Sequence, residues 1–448
     1  MQDRFGLAPG SVALQRYLQR HIEAGLPPPP HNESHWRHVL VIPAYRESAA
    51  LLRNLTRLPP GMGRTLVILV LNRPDTDHDT QANTLLRAAV HELAIANKQP
   101  YKPVIYALNT QTDLYVHDME NPGELFPSGT IPTAQGVGLA RKTGCDIALK
   151  WMSEGAISGE WIHSTDADAL LPQDYFQQLG SGNQQSVAAV YPFRHIPGAD
   201  QKCNEATALY ELRLHHYVLG LEYAGSPYAC HTLGSCLAVK AGAYAQVRGF
   251  GKRAGGEDFY LLNKLAKLGP VVKLTGKCIK LQSRHSHRVP FGTGPAVEKI
   301  AGSAHPVDLV LFYHPQCFAA LRALLTVAPD LQQTVVEGLS GLLSQQGLEQ
   351  SLARACSKVL EAMGLEAGLT HCRRQGKSPE QFLRQFHQWF DGFRSMKFIH
   401  AIRDAGWPQQ SMPRLGALEP QLWPINACAQ WEIENLRLAA RRHWGWQS

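Results

Sequence analysis

The sequence predicts an α/β fold, a sheet of apolar strands flanked by helices, with an α-helical region added toward the carboxyl end. Three observations predict it. The apolar runs HVLVIPAY (38–45), TLVILVL (65–71) and PVIYAL (103–108) alternate with stretches of helical periodicity. Strands that are apolar throughout belong to a sheet covered on both faces, and strand–helix–strand alternation pairs such strands in parallel. Past about 305 the strand texture stops and apolar residues recur at helical spacing. A chain of 448 residues, 44% hydrophobic and 18% charged, can build a sizeable core in two or three domains and is not globally disordered.

In order along the chain, residues 11–24 read as a short amphipathic helix with Ser11 as its cap and Val12, Leu14, Tyr17, Leu18 and Ile22 on the apolar side. GLPPPPHNESH (25–35) follows as a stiff linker, because four consecutive prolines cannot continue a helix. Residues 1–35 are therefore taken as an amino-terminal arm, 36–300 as the α/β domain and 301–448 as a helical region. Within the α/β domain, helices are expected at 47–58, 82–97 and 134–152, and PQDYFQQL (172–179) reads as a short one that an Asp of the preceding turn would cap. The helical region carries GLEQSLARACSKVLEAMG, PEQFLRQFHQWFDGF and the basic, aromatic WEIENLRLAARRHWGW. Its aromatic stripes read as core. The final basic helix reads as a solvated face that can also lie peripherally on an anionic membrane.

Bulk properties narrow the class. Net charge is +7 and Lys and Arg are scattered, which does not point to nucleic acid. Nine cysteines, an odd number with no C-x-x-C, suit reduced thiols in the cytoplasm better than a disulfide framework or a zinc site. The first residues lack the apolar core of a signal peptide, and the most apolar run is far below the ~20 residues of a membrane span. The expected location is the cytoplasm, with at most a peripheral place at the inner face of the membrane.

The chemistry should sit beyond the carboxyl ends of the strands, where ligands bind in open α/β sheets. There lie PAYRES (43–48), NRPDTDHD (72–79) and STDAD (164–168). Asp166 and Asp168 can be turn-formers, or they can converge on one hard cation, which prefers oxygen ligands. Gly255-Gly256 precede Glu257 and Asp258 at the start of a helix, where a carboxylate facing a crevice can act as general base toward a hydroxyl. SRHSHRVPFGTG (283–294) places His285 and His287 at alternate positions, flanked by Arg284 and Arg288; such histidines can ligate metal, and arginine suits a diphosphate. GVGLAR (136–141) starts like a dinucleotide-binding fingerprint. It has Arg141 in place of the last glycine and no apolar strand leading in, which argues against a dinucleotide oxidoreductase.

The succession VLVIPAYRES, GVGLARKTGCD, GEWIHSTDADALLP, GSCLAVKAGAYAQVRGF and GGEDFYLLNKLAKLG resembles a family-2 glycosyltransferase of the GT-A fold over roughly 38–295. The resemblance implies a Rossmann-like, nucleotide-diphospho-sugar transferase domain with a mixed sheet flanked by helices. It implies transfer of a sugar from a UDP- or GDP-linked donor to the hydroxyl of a glycan, lipid or small molecule, dependent on Mg²⁺ or Mn²⁺ and inverting. By position, Pro43, Ala44, Tyr45, Glu47, Asn72, Arg141, Asp166 and Arg288 would bind the nucleotide sugar. Asp166 and Asp168 would hold the metal, with His285 or His287 as further ligands. Asp258 would be the catalytic base, and Glu257 its neighbour and a contact to the acceptor. Two departures stand out: Asn72 occupies the place where members commonly carry an Asp that reads the base, with Asp75 and Asp77 slightly later, and the insert 116–135 is long enough to cover a donor pocket. Two other functions are compatible with such a domain: a sugar-nucleotide pyrophosphorylase, although PAYRES lacks the glycine-rich loop that activity uses, and a non-catalytic binding or scaffold protein with a decayed transferase domain.

Overall fold

The two most apolar runs become adjacent central strands. In the computed structural model, which describes residues 11–30, 35–97, 103–120, 129–286, 292–333, 338–412 and 432–447, they are β1 (His38–Ala44) and β2 (Thr65–Leu71). They pair in parallel from His38↔Thr65 to Ala44↔Leu71. Every residue of β2 is buried, as a strand covered on both faces requires. The sheet continues with β3 (Ile105–Ala107), β4 (Thr112–Asp118), β5 (Trp161–Ser164), β7 (Ala188–Val190), β9 (Leu237–Lys240) and β10 (Val271–Lys273), in the order β10-β7-β9-β5-β1-β2-β4-β3. β5 and β4 are parallel to their central neighbours, whereas β9 runs antiparallel to β5 and β7. The fold is thus a mixed α/β sheet flanked by helices.

One strand expectation needs correcting. The run at 103–108 supplies only the short edge strand β3, antiparallel to β4; the third parallel strand is TDLYVHD, which the sequence reading left unassigned. Polar residues hide it. Asp113 is nevertheless buried, accepting from Trp36 Nε1 at 2.7 Å and pairing with Arg64. The Asn109 side chain accepts the Gln111 N–H at 2.8 Å and turns β3 back into β4. The first residues of the expected insert are therefore strand, and 121–128 lie outside the described residues.

A second, three-stranded sheet has the order β6-β11-β8, with β6 (Ala169–Leu170), β8 (Phe193–Ile196) and β11 (Ile279–Gln282). β11 runs antiparallel to β6 with Leu281 opposite Ala169. That register carries the residues after Gln282 past the acidic turn at 166–168. The short helix expected at 172–179 is instead a turn followed by a 3₁₀ turn (Gln177–Leu179), with Tyr175 and Phe176 buried.

The chain forms two compact units. One holds Met1–Asn204, Thr232–Glu298 and Trp444–Ser448, and includes the eight- and three-stranded sheets; the other holds Glu205–His231 and Lys299–His443. In the first unit, α1 (Val12–Arg20) buries Tyr17, whose hydroxyl donates to Asp146 at 2.6 Å in α4 (Gly136–Ser153). α4 lies on β1 and β2 so closely that a Cβ on Gly144 would come within 2.4 Å of Val41. The second unit is helical apart from one short antiparallel pair, Leu311–Phe312 against Gln410–Ser411. Phe382, Phe386 and Phe390 are buried, as expected of a core stripe, and Ser378 forms a capping box with Gln381 ahead of the helix Pro379–Trp389. The last helix, Ile433–His443, differs from the open basic face expected of it: Arg437 and Arg441 are buried, and Arg437 forks onto Glu211 at 2.7 and 3.0 Å. Among the described residues no helix is long and apolar enough to cross a membrane.

Candidate active site

The site is built where β1 and β5 end and the helix α7 (Glu257–Leu265) begins. β5 delivers Ser164 and then Asp166 and Asp168 at alternate positions of the turn into β6. The two carboxylates go to two different arginines.

Asp166 faces Arg141. This arginine, 3% exposed, projects from the early turns of α4 and donates from Nη2 to Asp166 Oδ1 at 2.7 Å, from Nε to Glu257 Oε1 at 3.0 Å, and from Nη1 to Ser164 Oγ at 2.8 Å and the Gly234 carbonyl at 3.0 Å. A Cβ at position 234 would lie 2.5 Å from Arg141 Nη2, so a larger residue there would have to push the guanidinium off its acceptors. Burial works against the guanidinium's charge, but Asp166 and Glu257 outweigh it and its pKa moves further up. One buried cation thus ties the end of β5, the 234 loop and the start of α7 together. The expectation that Arg141 contacts the nucleotide sugar meets a side chain already committed to protein groups.

α7 starts after Gly256, whose φ of 68° is left-handed backbone that glycine adopts without strain. Glu257 is buried against Arg141. Asp258 is half-buried and accepts the N–H of Phe259 at 2.7 Å. Burial, reinforced by the charge of Glu257, pushes the Asp258 carboxyl up to about 7, while the Phe259 N–H and Arg141 pull the other way. A carboxyl poised near neutrality is suited to taking a proton.

Asp168 faces Arg284. A single nitrogen, Arg284 Nη2, lies 2.6 Å from Asp168 Oδ2 and 3.1 Å from Glu47 Oε1. Glu47 follows Arg46, which takes a left-handed φ of 55° and holds its N–H on Asn83 Oδ1 at 2.8 Å; this bend turns the chain after β1 toward the acidic turn. Burial pushes the Glu47 carboxyl up to about 7, opposed by Arg284 and reinforced by Asp168 and Asp166. Asp168 is also raised by burial, against the pull of Arg284. Glu47, Asp166 and Asp168 are thus within electrostatic reach of one another, and Asp166 also acts on Asp258.

The remaining expected residues divide. Pro43 and Ala44 are the buried end of β1. Tyr45 donates its hydroxyl to Asp77 at 2.5 Å, and Arg46 grips the same carboxylate, so Asp77 is occupied by protein. Asp75 accepts from Thr133. The Asn72 amide is buried on the carbonyls of Ala44 and Val70. His285 does not join Asp166 and Asp168: its Nε2 sits 3.2 Å from Asp200 Oδ2 in an exposed pair, because the strand ends at Gln282 and period-two alternation no longer sets its direction. His287 and Arg288 lie outside the described residues. Arg284 was missed as a site residue and named only as a flank. The signal for it is its position two residues past β11, opposite the acidic turn, which shows only once β11 is paired with β6. A cavity of about 280 Å³ opens beside the turn, lined by Leu40, Ile42, Leu51, Leu55, Ala167 and Asp166 among others.

Among the described residues no three His, Cys, Asp or Glu side chains group closely enough to hold a metal ion. The donor chemistry nonetheless fits a hard cation. Oxygens of Asp168 and Glu47 converge on one positively charged nitrogen, which shows that both can address a single positive charge from where they stand.

No protein-family model matches the chain, and no curated protein matches it. Similar solved structures include S. aureus TarS 1–349 in complex with UDP-GlcNAc, at 13% identity and a TM-score of 0.35, covering 91% of this chain and 89% of that one. The mannosyltransferase PcManGT from Pyrobaculum calidifontis, in complex with GDP-Man and Mn²⁺, is similar at 14% identity and a TM-score of 0.32, covering 88% and 93%. At such scores the functional case rests on this chain's own residues.

Proposed function

We propose that the chain is a glycosyltransferase that moves a sugar from a nucleoside diphosphate donor to an acceptor hydroxyl with inversion. The observation that carries this reading is the convergence of Glu47 and Asp168 on one positive charge at the strand ends, beside an Asp258 carboxyl poised near neutrality. Asp168 and Glu47, with Asp166 adjacent, would hold Mg²⁺ or Mn²⁺. When bound, that ion neutralises the charge that collects on the departing diphosphate. The loop Pro43–Glu47 and the region of Asn72 receive the nucleotide, UDP or GDP. Asp258 accepts the acceptor's hydroxyl proton as the acceptor oxygen bonds to the anomeric carbon from the face opposite the leaving diphosphate, whose bond to that carbon breaks. Attack from the far side inverts the configuration. Glu257 and Arg141 keep Asp258 in place and stay out of the reaction. His287 and Arg288 follow Arg284 in sequence and are proposed to act on the diphosphate.

The test is a transfer and donor-hydrolysis assay with UDP- and GDP-linked sugars and Mn²⁺, comparing wild type with Asp168→Asn. Turnover lost in the variant, with an unchanged melting curve, supports the assignment. Wild-type protein that neither binds nor turns over any nucleotide sugar overturns it.

A further inference from the structure

Arg284 is bound in a way that invites exchange. Its Nη2 is shared between Asp168 and Glu47, while its Nε is shielded and has no hydrogen-bond acceptor among the described residues. A guanidinium is a fork of five donors suited to paired oxygens, and a shielded donor left unmade is costly. The arginine also rides on Ser283–Ser286, a stretch outside any strand or helix, tethered just upstream by the Ser283 N–H on the Ile196 carbonyl at 3.0 Å. Contrast Arg141, whose Nε, Nη1 and Nη2 all have acceptors.

We propose that Arg284 is the internal counter-cation of the ligand-free site, displaced from Asp168 and Glu47 by the divalent ion and received by the donor's diphosphate. The inference rests on the transferase reading for the identity of that diphosphate. A divalent ion that takes the Asp168 and Glu47 oxygens now facing Nη2 would stand a few ångströms from the guanidinium, where their repulsion is of the size of the attraction each gains. The divalent ion alone must therefore evict Arg284 into solvent, which weakens its binding. With a diphosphate present, the evicted guanidinium finds paired oxygens, its unmet Nε included. Ion and nucleotide then bind cooperatively, and by linkage each raises the other's affinity by the same factor.

The experiment is a titration of the full chain with Mn²⁺ alone, followed by electron paramagnetic resonance without nucleotide. Arg284→Gln is expected to bind Mn²⁺ about ten-fold tighter than wild type, since a positive charge beside the ligands is gone. Arg284→Lys, which keeps the charge, should stay at the wild-type level and guards against a folding artefact. Adding Asp168→Asn to Arg284→Gln should cancel the gain. Unchanged or weaker Mn²⁺ binding in Arg284→Gln, or a gain that survives Asp168→Asn, overturns the proposal. Calorimetry with UDP and GDP in saturating Mn²⁺ separates this from the broader reading. Arg284→Gln should lose about ten-fold in nucleotide affinity, and an unchanged affinity counts against the exchange. A wild type that binds neither nucleotide overturns the transferase, while the Mn²⁺ titration still decides whether Arg284 guards the carboxylates.

Discussion

Arg141 and Arg284 hold carboxylates two residues apart in one turn, and their surroundings could hardly differ more. Arg141 comes from a helix, is 3% exposed, and satisfies Asp166, Glu257, Ser164 and a carbonyl at once. Arg284 comes from a loop, is 32% exposed, and leaves a shielded nitrogen without an acceptor among the described residues. A buried, fully bonded cation costs a great deal to remove; a half-exposed one with an unmet donor can be traded. The same Asp-x-Asp turn is therefore framework on one side and working surface on the other. The alternation of its residues separates the two roles.

Breaking the framework side should give the largest effect. Arg141→Gln leaves Glu257 buried beside Asp258 without its cation, a loss of about 3–5 kcal/mol. Urea denaturation should show it directly, and activity should vanish with the fold. A variant that melts like wild type would mean that Arg141 is as exchangeable as Arg284, and the contrast would fail.

Asp258→Asn comes next, with the fold kept. Its kcat should fall by roughly 10²–10⁴-fold while nucleotide affinity holds. The pH profile sharpens the assignment. The Asp258 carboxyl is raised from 3.8 to about 7, so in the wild type the proposed base is protonated below neutrality, and turnover should climb through about pH 7 and then level off. Stability should move the other way. Between pH 4 and 7 the folded chain keeps a proton that the unfolded chain has released, so this group's contribution falls as pH rises and is lowest above 7. Asp258→Asn should therefore raise the melting midpoint at pH 8 and leave it unchanged at pH 4. A midpoint shift of the same size at both pH values would remove the titration from the account.

The sequence made the framework side more legible than the working side, for physical reasons. β1, β2 and α4 are written in continuous apolar runs and helical periodicity, which burial enforces residue by residue. The pairing of Glu257 and Asp258 with a helix start was visible for the same reason. β4 was not visible, because the buried Asp113 and its partners Trp36 and Arg64 make an interior strand look polar. Arg284 was passed over in favour of His285 and Arg288, since strand alternation was extended past Gln282, where β11 ends. The convergence on Asp168 depends on the register of β11 against β6, a strand of two residues that carries no pattern to read. The inward-facing Arg437 and Arg441 escaped likewise: a basic helix looks solvated until the acid it meets, Glu211, is known, and that residue is more than two hundred positions away.

The smallest effect worth measuring probes the framework at a single hydroxyl. Ser164 is fully buried, and its Oγ accepts from Arg141 Nη1 at 2.8 Å; the same nitrogen keeps the Gly234 carbonyl if the hydroxyl is lost. Ser164→Ala should therefore cost about 1 kcal/mol, the net value of one hydrogen bond, and not the larger penalty of an abandoned charge. Away from the turn, His285→Ala removes an exposed pair with Asp200, and solvent replaces it at once. Paired thermal melts should show a small loss for the serine and none for the histidine. Equal losses would mean that the buried Ser164 hydroxyl counts for no more than an exposed pair, which its burial against Arg141 does not allow.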